Sequence, residues 1–363
     1  MVTNYDYKLP IDDTIYWFFL PYRALDKMVA AEFKNDKSDT INIYIDVYQL
    51  CISICRFTVI KNPYCISAAI INYCSHFRRY FKKIGVYANI VLIYTTNESD
   101  HIRKYIPEYD QFYRNRIEHN PKMKSIVDKN VDLLKIIVPY LPNIYLRVGT
   151  VESTLIAHDT IFRKLIGIAP SMLITQSQYA YQLPLLSKSL RVVRKYYGFK
   201  KGEDLSWCYN KNNCVEAYLF EARKANVLGG KFNQNTLSLL MSLNGIPKLT
   251  VKSMGFNYET ILDLCSRVPS GYEHDPDIIA DIYDKFTQSN YYLRRRRKRH
   301  AIPTVEEMMN RFKGIDIVYQ YSMYKLLPEY NELDWLKQLD DKISVHDINN
   351  TYYNGCELDL EGL

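Results

Sequence analysis

The sequence predicts an α/β fold: a mostly parallel sheet with helices on both faces, plus a helical C-terminal portion. Short apolar runs rich in β-branched residues, typical of buried strands, recur at 41–46, 88–94, 144–148 and 171–175. Longer segments with helical features separate some of these runs, and strands that alternate with helices form parallel sheets. From about residue 211 the pattern becomes helical throughout, with Gly and Pro punctuating the gaps between helices.

The segments between the strands differ in character. Residues 47–83 are helical and close on a basic stretch, and Gly85 ends that helix. Residues 97–135 are polar and rich in both charges. Gly149 precedes a helix over about 151–165. In the C-terminal portion, helices are predicted at Cys214–Val227, Asn235–Leu243, Tyr258–Arg267, Asp277–Ser289 and Val305–Lys313.

This pattern divides the chain into four segments. Residues 1–40 form an N-terminal extension with an aromatic patch, and residues 41–210 form the sheet domain. Residues 211–325 form the helical portion, and residues 326–363 form an acidic, irregular tail.

Composition is that of a globular protein. The 363 residues are 47% hydrophobic and 24% charged, and no apolar run approaches the ~20 residues of a membrane helix. No signal peptide is recognisable, and the eight cysteines form no zinc or CxxC pattern, so we expect free thiols, a cytoplasmic location and no membrane partner. The 33 tyrosines, with many Ile, Asn and Lys, indicate A/T-rich codons, which we interpret as a viral or bacteriophage origin, in the host cytoplasm or the virion.

Polar residues follow several predicted strands. Asp46 ends the first strand, Thr95 follows the second, and Glu152 and Ser177 follow the third and fourth. Ligands of parallel sheets bind at the carboxyl ends of the strands. The sequence therefore predicts that these four residues line one edge.

Several stretches carry a resemblance. Asp46 ends a strand, Arg103-Lys-Tyr-Ile-Pro107 opens a charged stretch, Gly149-Thr-Val-Glu152 opens a helix, and Ser177-Gln-Tyr-Ala-Tyr-Gln182-Leu183 follows a strand. Their order, over roughly residues 41–290, resembles the 5′-nuclease superfamily of flap endonucleases, which has a PIN-like fold. The resemblance implies a PIN-like domain over 41–210 and a helix–hairpin–helix-like region within 211–325.

The resemblance also implies which acids are lost. Asp46 and Glu152 remain as remnants of the catalytic set, whereas neutral residues stand at other acidic positions of the family: Thr95, Thr154, Leu155, Ser177 and Tyr179. The family's cleavage resembles two-metal chemistry, and neutral hydroxyls cannot offset the charge of two divalent ions. We therefore expect no cofactor and lean towards a protein that is not an enzyme; Mg²⁺ would be required only if cleavage survives.

Other interpretations of the acids stay open. Acids from elsewhere, namely Asp100, Asp159, Glu216 or Glu221, would rebuild a metal site, although Asp159 lies about 10 Å along the helix from Glu152. Asp46 and Glu152 are equally suited to stabilising the first turn of a following helix.

Two basic regions indicate a polyanionic partner, DNA or RNA. The predicted arch contributes Arg103, Lys104, Arg114 and Arg116. The strongest signal is a run of six consecutive cations: Arg294, Arg295, Arg296, Arg297, Lys298 and Arg299. Such a run suits phosphate contacts, but also a solvated loop, an address signal, or docking on an acidic partner or the chain's own acidic tail.

Three functions follow as hypotheses. The first is a nucleic-acid-binding or assembly protein in a replication, transcription or packaging complex, built on a degenerate nuclease scaffold. The second is an active metal-dependent 5′ nuclease with an altered metal site. The third is a structural subunit of a viral complex that binds only protein.

Overall fold

The computed structural model describes residues 38–48, 50–51, 65–95, 105, 121–149, 153–175, 177–195, 206–222, 233–246, 251–289, 302–324 and 334–335. Their centre is one seven-stranded sheet in the order β6-β5-β4-β1-β2-β3-β7. In chain order the strands are β1 (Thr40–Asp46), β2 (Tyr87–Thr95), β3 (Ile144–Gly149), β4 (Ser171–Ile174), β5 (Leu190–Lys195), β6 (Ser206–Tyr209) and β7 (Asp334–Trp335).

Strands β1 to β5 are mutually parallel, and the two outer strands are antiparallel to their neighbours. This confirms the predicted α/β class and its mostly parallel sheet. All four strands expected from the apolar runs are present.

Ten α-helices lie within the described residues. They are α1 (Cys65–Lys83), α2 (Pro121–Ile137), α3 (Ser153–Phe162), α4 (Leu183–Leu186), α5 (Cys214–Glu221), α6 (Leu237–Asn244), α7 (Tyr258–Ser266), α8 (Pro276–Thr287), α9 (Val305–Ile315) and α10 (Ile317–Tyr324). None of these helices is long and apolar enough to cross a bilayer.

Successive side chains along the strands are buried alternately on the two faces of the sheet. In β1, Ile41, Ile43 and Ile45 are fully buried in the core that α1 and α2 close. Tyr44 points the other way, into a second core with α3 and the helical portion. A strand sends successive side chains to opposite faces, so this continuously apolar run is buried on both sides.

The helical portion packs α6, α8 and α9 together, and α10 contacts α3. α6 ends at Gly245, whose φ of +83° is left-handed; a Cβ there would lie 2.3 Å from the carbonyl oxygen of Val251. Ile246 then pairs antiparallel with Val251, and Asn257 caps α7 with its side chain. A short antiparallel bridge thus lies between α6 and α7, in the region where the resemblance implies a helix–hairpin–helix-like arrangement, which stays a prediction.

Some elements were not predicted. β5 and β6 lie in a region without an assigned strand, and α2 forms within the stretch interpreted only as polar and charged. β7 pairs with β3, so the prediction of an irregular tail beyond residue 325 was wrong at Asp334–Trp335. The aromatic patch of the N-terminal extension lies outside the described residues.

The cysteines whose side chains the structure describes are buried thiols rather than disulfides: Cys51, Cys74, Cys214 and Cys265. Burial raises the pKa of the Cys74, Cys214 and Cys265 thiols to about 12. These three side chains are therefore neutral core residues rather than reactive thiolates.

Candidate functional site

The carboxyl edge of the sheet brings polar side chains together on one face. Asp46 is aligned with Ile93 in the neighbouring strand, and Thr95 lies two residues beyond Ile93, so Asp46 and Thr95 share the face that α3 covers. Both are 6% exposed. The sequence prediction that they line the same edge is confirmed for this pair.

Asp46 is held by two hydroxyl groups. Its Oδ2 accepts hydrogen bonds from Ser153 Oγ and from Thr175 Oγ1, each at 3.1 Å. Ser153 begins α3, and Thr175 directly follows β4. The carboxylate therefore joins three elements, β1, β4 and α3, through donors that carry no charge.

A second pair of hydroxyls continues this cluster. Thr154 Oγ1 donates to Ser177 Oγ at 2.7 Å, and the Ser177 backbone N–H donates to Thr175 Oγ1 at 3.0 Å. Ser177 also caps the short 3₁₀ helix Gln178–Gln182 by accepting from the Tyr179 N–H. We call Asp46, Ser153, Thr154, Thr175 and Ser177 the hydroxyl cluster.

Two further positions at which the resemblance expects acids are parts of the core. Leu155 is 1% exposed and Tyr179 is 3% exposed, and both belong to the core cluster on the α3 face. An ionised side chain at either position would be desolvated among apolar neighbours. Leu155 and Tyr179 are therefore part of the hydrophobic core.

Gln182, which the resemblance retains, has a structural contact here. Its Nε2 donates to the Ile315 carbonyl at 2.9 Å, and its Oε1 accepts from the Ile317 N–H at 3.1 Å. Both backbone groups lie where α9 passes into α10. One buried amide therefore fixes this corner of the helical portion against the sheet domain.

Asp159, proposed above as a replacement metal ligand, instead contacts Arg147 and Tyr321. Its Oδ2 lies 2.6 Å from Arg147 Nη2, and its Oδ1 accepts from the Tyr321 hydroxyl at 2.9 Å. The Asp159 side chain is fully buried and that of Arg147 is 4% exposed. This interaction connects β3, α3 and α10, and gives Asp159 a structural partner.

A separate polar cluster lies in the helical portion. His274 Nδ1 is 2.6 Å from Asp316 Oδ2, and Asp316 Oδ1 accepts from the Tyr319 N–H in the first turn of α10. Burial favours the neutral imidazole, but the hydrogen bond to Asp316 and its charge outweigh burial and raise the pKa of His274. For Glu273, burial favours the neutral carboxyl and so raises the pKa. Hydrogen bonds, among them those from the Asn233 side chain and the Gly271 N–H, outweigh burial and lower the pKa of Glu273.

The donor set does not fit the metal pair that the resemblance implies. Asp46 and Glu152 together supply two negative charges against the four positive charges of two divalent ions, and hydroxyls are weak ligands for Mg²⁺. Among the residues described, no group of three or more His, Cys, Asp or Glu side chains is arranged to hold a metal ion. Asp46 already uses one oxygen for two hydroxyl groups.

Most of the predicted site residues lie outside the described residues. They are Glu152, the arch cations Arg103, Lys104, Arg114 and Arg116, and the run Arg294, Arg295, Arg296, Arg297, Lys298 and Arg299. Their roles remain predictions.

Sequence reasoning missed Ser153 and Thr175, the two donors to Asp46. Ser153 is adjacent to Thr154, and Thr175 lies two residues before Ser177, so hydroxyl residues are frequent around the positions where the resemblance expects acids. That enrichment was the available signal. Arg147 was missed because an arginine in an apolar strand gives no sign of which acid it will meet.

No protein-family model and no curated protein matches the chain. Solved nuclease structures are similar to it at low identity. The bacteriophage T5 flap endonuclease co-crystallised with metal ions shares 13% identity, over 77% of this chain and 90% of its own, with a TM-score of 0.46. A pseudo-enzyme form of that endonuclease, in a product complex with DNA and metal ions, shares 14% over the same proportions, also with a TM-score of 0.46. The catalytic core of Rad2 in complex with a DNA substrate shares 9%, over 91% of this chain and 82% of its own, with a TM-score of 0.37.

Proposed function

We propose that this chain is a nucleic-acid-binding component of a larger complex, built on a degenerate 5′-nuclease scaffold and without metal-dependent cleavage. One observation carries the proposal. The motif acid Asp46 accepts hydrogen bonds from the uncharged Ser153 and Thr175 side chains, within a cluster whose other side chains are all hydroxyls.

The charge balance of the cluster supports the loss of cleavage. Catalysis by two metal ions needs carboxylates that hold the ions a few ångströms apart and leave positions open for the scissile phosphate. In the hydroxyl cluster, Thr154 Oγ1 donates to Ser177 Oγ at 2.7 Å. Neither side chain supplies the negative charge that would hold a divalent ion.

The proposal of nucleic-acid binding is supported by the charge of the chain rather than by the hydroxyl cluster. The chain has a formal net charge of +7, and its longest uninterrupted run of cations is Arg294–Arg299. Contacts between such side chains and phosphates release counterions and make affinity fall steeply with salt. Nucleic acid is therefore the partner that this charge distribution favours.

A cleavage assay tests the first half of the proposal. Purified protein is incubated with labelled flap, single-stranded and duplex DNA in Mg²⁺ or Mn²⁺, beside Asp46→Ala as the matched control. We expect no difference between the two proteins. Cutting by the natural chain that disappears in Asp46→Ala would establish the active-nuclease alternative.

A salt series tests the second half. DNA and RNA affinities are measured between about 50 and 200 mM salt for the natural chain and for a variant with Arg294–Arg297 replaced by Ser. We expect weaker binding and a shallower salt dependence in the variant, since each lost phosphate contact lowers the slope of log K against log salt by about one. Replacing the exposed Lys285, on the outer side of α8, with Ser provides a control that should leave both quantities nearly unchanged. Absence of binding by the natural chain would favour the subunit that binds only protein.

A further inference from the structure

The amino edge of the sheet, opposite the hydroxyl cluster, carries an exposed surface of its own. Here α1 ends and the chain enters each parallel strand. Backbone hydrogen bonds join neighbouring entry loops: Tyr87 N–H donates to Asp39 O at 2.6 Å, and Ser171 N–H donates to Ser189 O at 3.0 Å. The Asn42 side chain also donates to Gly167 O. The loops that precede β1, β2, β4 and β5 therefore form one continuous surface.

This surface is basic. Lys82, Lys83, Lys164 and Lys188 are exposed, and none of them forms an ion pair with any residue the structure describes. Asp39 is the one acid in the described loops and helix end around them, 38–40, 78–87, 163–171 and 187–191. Lysines without acidic neighbours attract a negatively charged partner.

The same surface exposes large apolar side chains. Ile168 is 84% exposed and Tyr87 is 66% exposed. Of the five large hydrophobic side chains exposed in the described part of the chain, Ile84, Tyr87 and Ile168 lie at this edge, and Ile136 lies at the end of α2 that leads to it. We call Lys82, Lys83, Tyr87, Lys164, Ile168 and Lys188 the basal surface. Such a surface suits a partner that supplies both carboxylates and apolar side chains.

The topology directs one segment of the chain towards this edge. β3 runs from the amino edge to the carboxyl edge, and β7 pairs with it antiparallel, with Trp335 opposite Arg147. The chain therefore leaves β7 heading towards the amino edge. Residues 336–363 follow, with a reach on the order of 90 Å when extended, whereas neighbouring strands are only about 4.8 Å apart.

The last part of that segment has the complementary chemistry. Residues 343–363 contain four acids and no Lys or Arg. Three of the acids, Glu357, Asp359 and Glu361, alternate with Leu358 and Leu360. Carboxylates for the lysines and leucines for the exposed apolar side chains thus occur within five consecutive residues.

We propose that the basal surface binds the chain's own acidic segment around residues 357–361, in cis. Charge complementarity, the shared apolar character and the direction of the chain after β7 together favour this occupant over a separate polyanion. The inference does not depend on the proposed function. It leaves the run Arg294–Arg299 available for another partner.

Carbodiimide coupling of the full chain tests this proposal. The reagent joins a carboxylate to a lysine amine as an amide, with loss of water, where the two are in contact. Digestion and peptide mass spectrometry are expected to find Glu357, Asp359 or Glu361 linked to Lys82, Lys83, Lys164 or Lys188. A mixture of isotope-labelled and unlabelled chains should give links within one chain only. Links of these acids solely to Lys298 or to lysines elsewhere, or links between chains, would overturn the proposal.

Charge reversal gives a second, independent measurement. In the Lys82→Glu/Lys83→Glu variant, we expect the yield of links to Lys164 and Lys188 to fall about tenfold. Lys285→Glu, at an exposed lysine of α8 outside the basal surface, should leave the yield unchanged. Amide hydrogen exchange covers the case in which coupling is inefficient. Neutralising the segment with Glu357→Gln, Asp359→Asn and Glu361→Gln should accelerate exchange at 164–168. Unchanged exchange would contradict docking at this surface.

Discussion

Replacing Asp159 with Asn removes the charge that holds α3 on the sheet. In the natural chain, Asp159 contacts Arg147 Nη2 at 2.6 Å and accepts from the Tyr321 hydroxyl, with both charged side chains almost fully buried. An asparagine keeps the shape and can still accept the tyrosine hydrogen bond. It leaves the Arg147 guanidinium buried without a countercharge from this position.

The expected loss follows from the burial of the pair. Removing one partner of a buried ion pair costs about 3–5 kcal/mol, and the retained hydrogen bond places Asp159→Asn near the lower end, at about 3 kcal/mol. Arg163 provides a matched control. It approaches the same carboxylate at 3.7 Å, but its side chain is 46% exposed, so Arg163→Gln should cost under about 1 kcal/mol.

Urea denaturation followed by circular dichroism measures both losses in free energy of unfolding. Replacing both partners, as Arg147→Met/Asp159→Leu, should recover most of the stability lost by Asp159→Asn, because no buried charge then remains. A loss below about 1 kcal/mol for Asp159→Asn would refute the assignment of this pair as the link between β3 and α3.

Three further predictions concern Gln182, the neighbouring pair Thr154 and Leu155, and His274. Gln182→Met leaves two buried backbone groups without their partner, so it should lower the free energy of unfolding by about 2–4 kcal/mol in urea denaturation. Leu155→Asp should cost about 4 kcal/mol or more by the same measurement, whereas the neighbouring Thr154→Asp, which gains the Ser177 hydroxyl as donor, should cost under about 2 kcal/mol. Because the pKa of His274 is raised in the folded state, its pairing with Asp316 stabilises the protein fully below about pH 6.5 and less as pH rises through the raised pKa. The loss in free energy of unfolding caused by His274→Gln should therefore be about 1 kcal/mol larger at pH 5.5 than at pH 8.5.

Each of these predictions has an outcome that contradicts it. Equal costs for Leu155→Asp and Thr154→Asp would mean that Leu155 does not belong to the core. A Gln182→Met variant as stable as the natural chain would show that the corner between α9 and α10 does not depend on this amide. A pH-independent effect of His274→Gln would mean that the imidazole is not charged in the folded pair.

The sequence was most informative where one physical signal dominates. The four apolar strands and helices α5 to α9 are indicated by residue type and periodicity, so their existence and order were predicted, whereas α10 was not. β5 was missed because Arg191 and Arg194 interrupt its apolar run. β7 has only two residues, and its position depends on a partner strand nearly 190 residues earlier.

The candidate site was only partly predictable for a related reason. Asp46 stands out because an acid ends an apolar strand. The hydrogen bonds of Ser153 and Thr175 to it span 107 and 129 residues of sequence, and depend on how the elements pack. The partner of Asp159 was also hidden, since only the register of β3 against α3 brings Arg147 to it.

The central claim is that the hydroxyl cluster does not hold divalent metal ions. Calorimetric titration with Mn²⁺ tests it most directly, with Asp46→Ala as negative control and Thr154→Asp/Ser177→Asp, which places two acids beside Asp46, as a variant built to gain a site. The account predicts identical titrations for the natural chain and Asp46→Ala, and binding only in the variant with added acids. Binding of one or two Mn²⁺ ions to the natural chain that disappears in Asp46→Ala would contradict it.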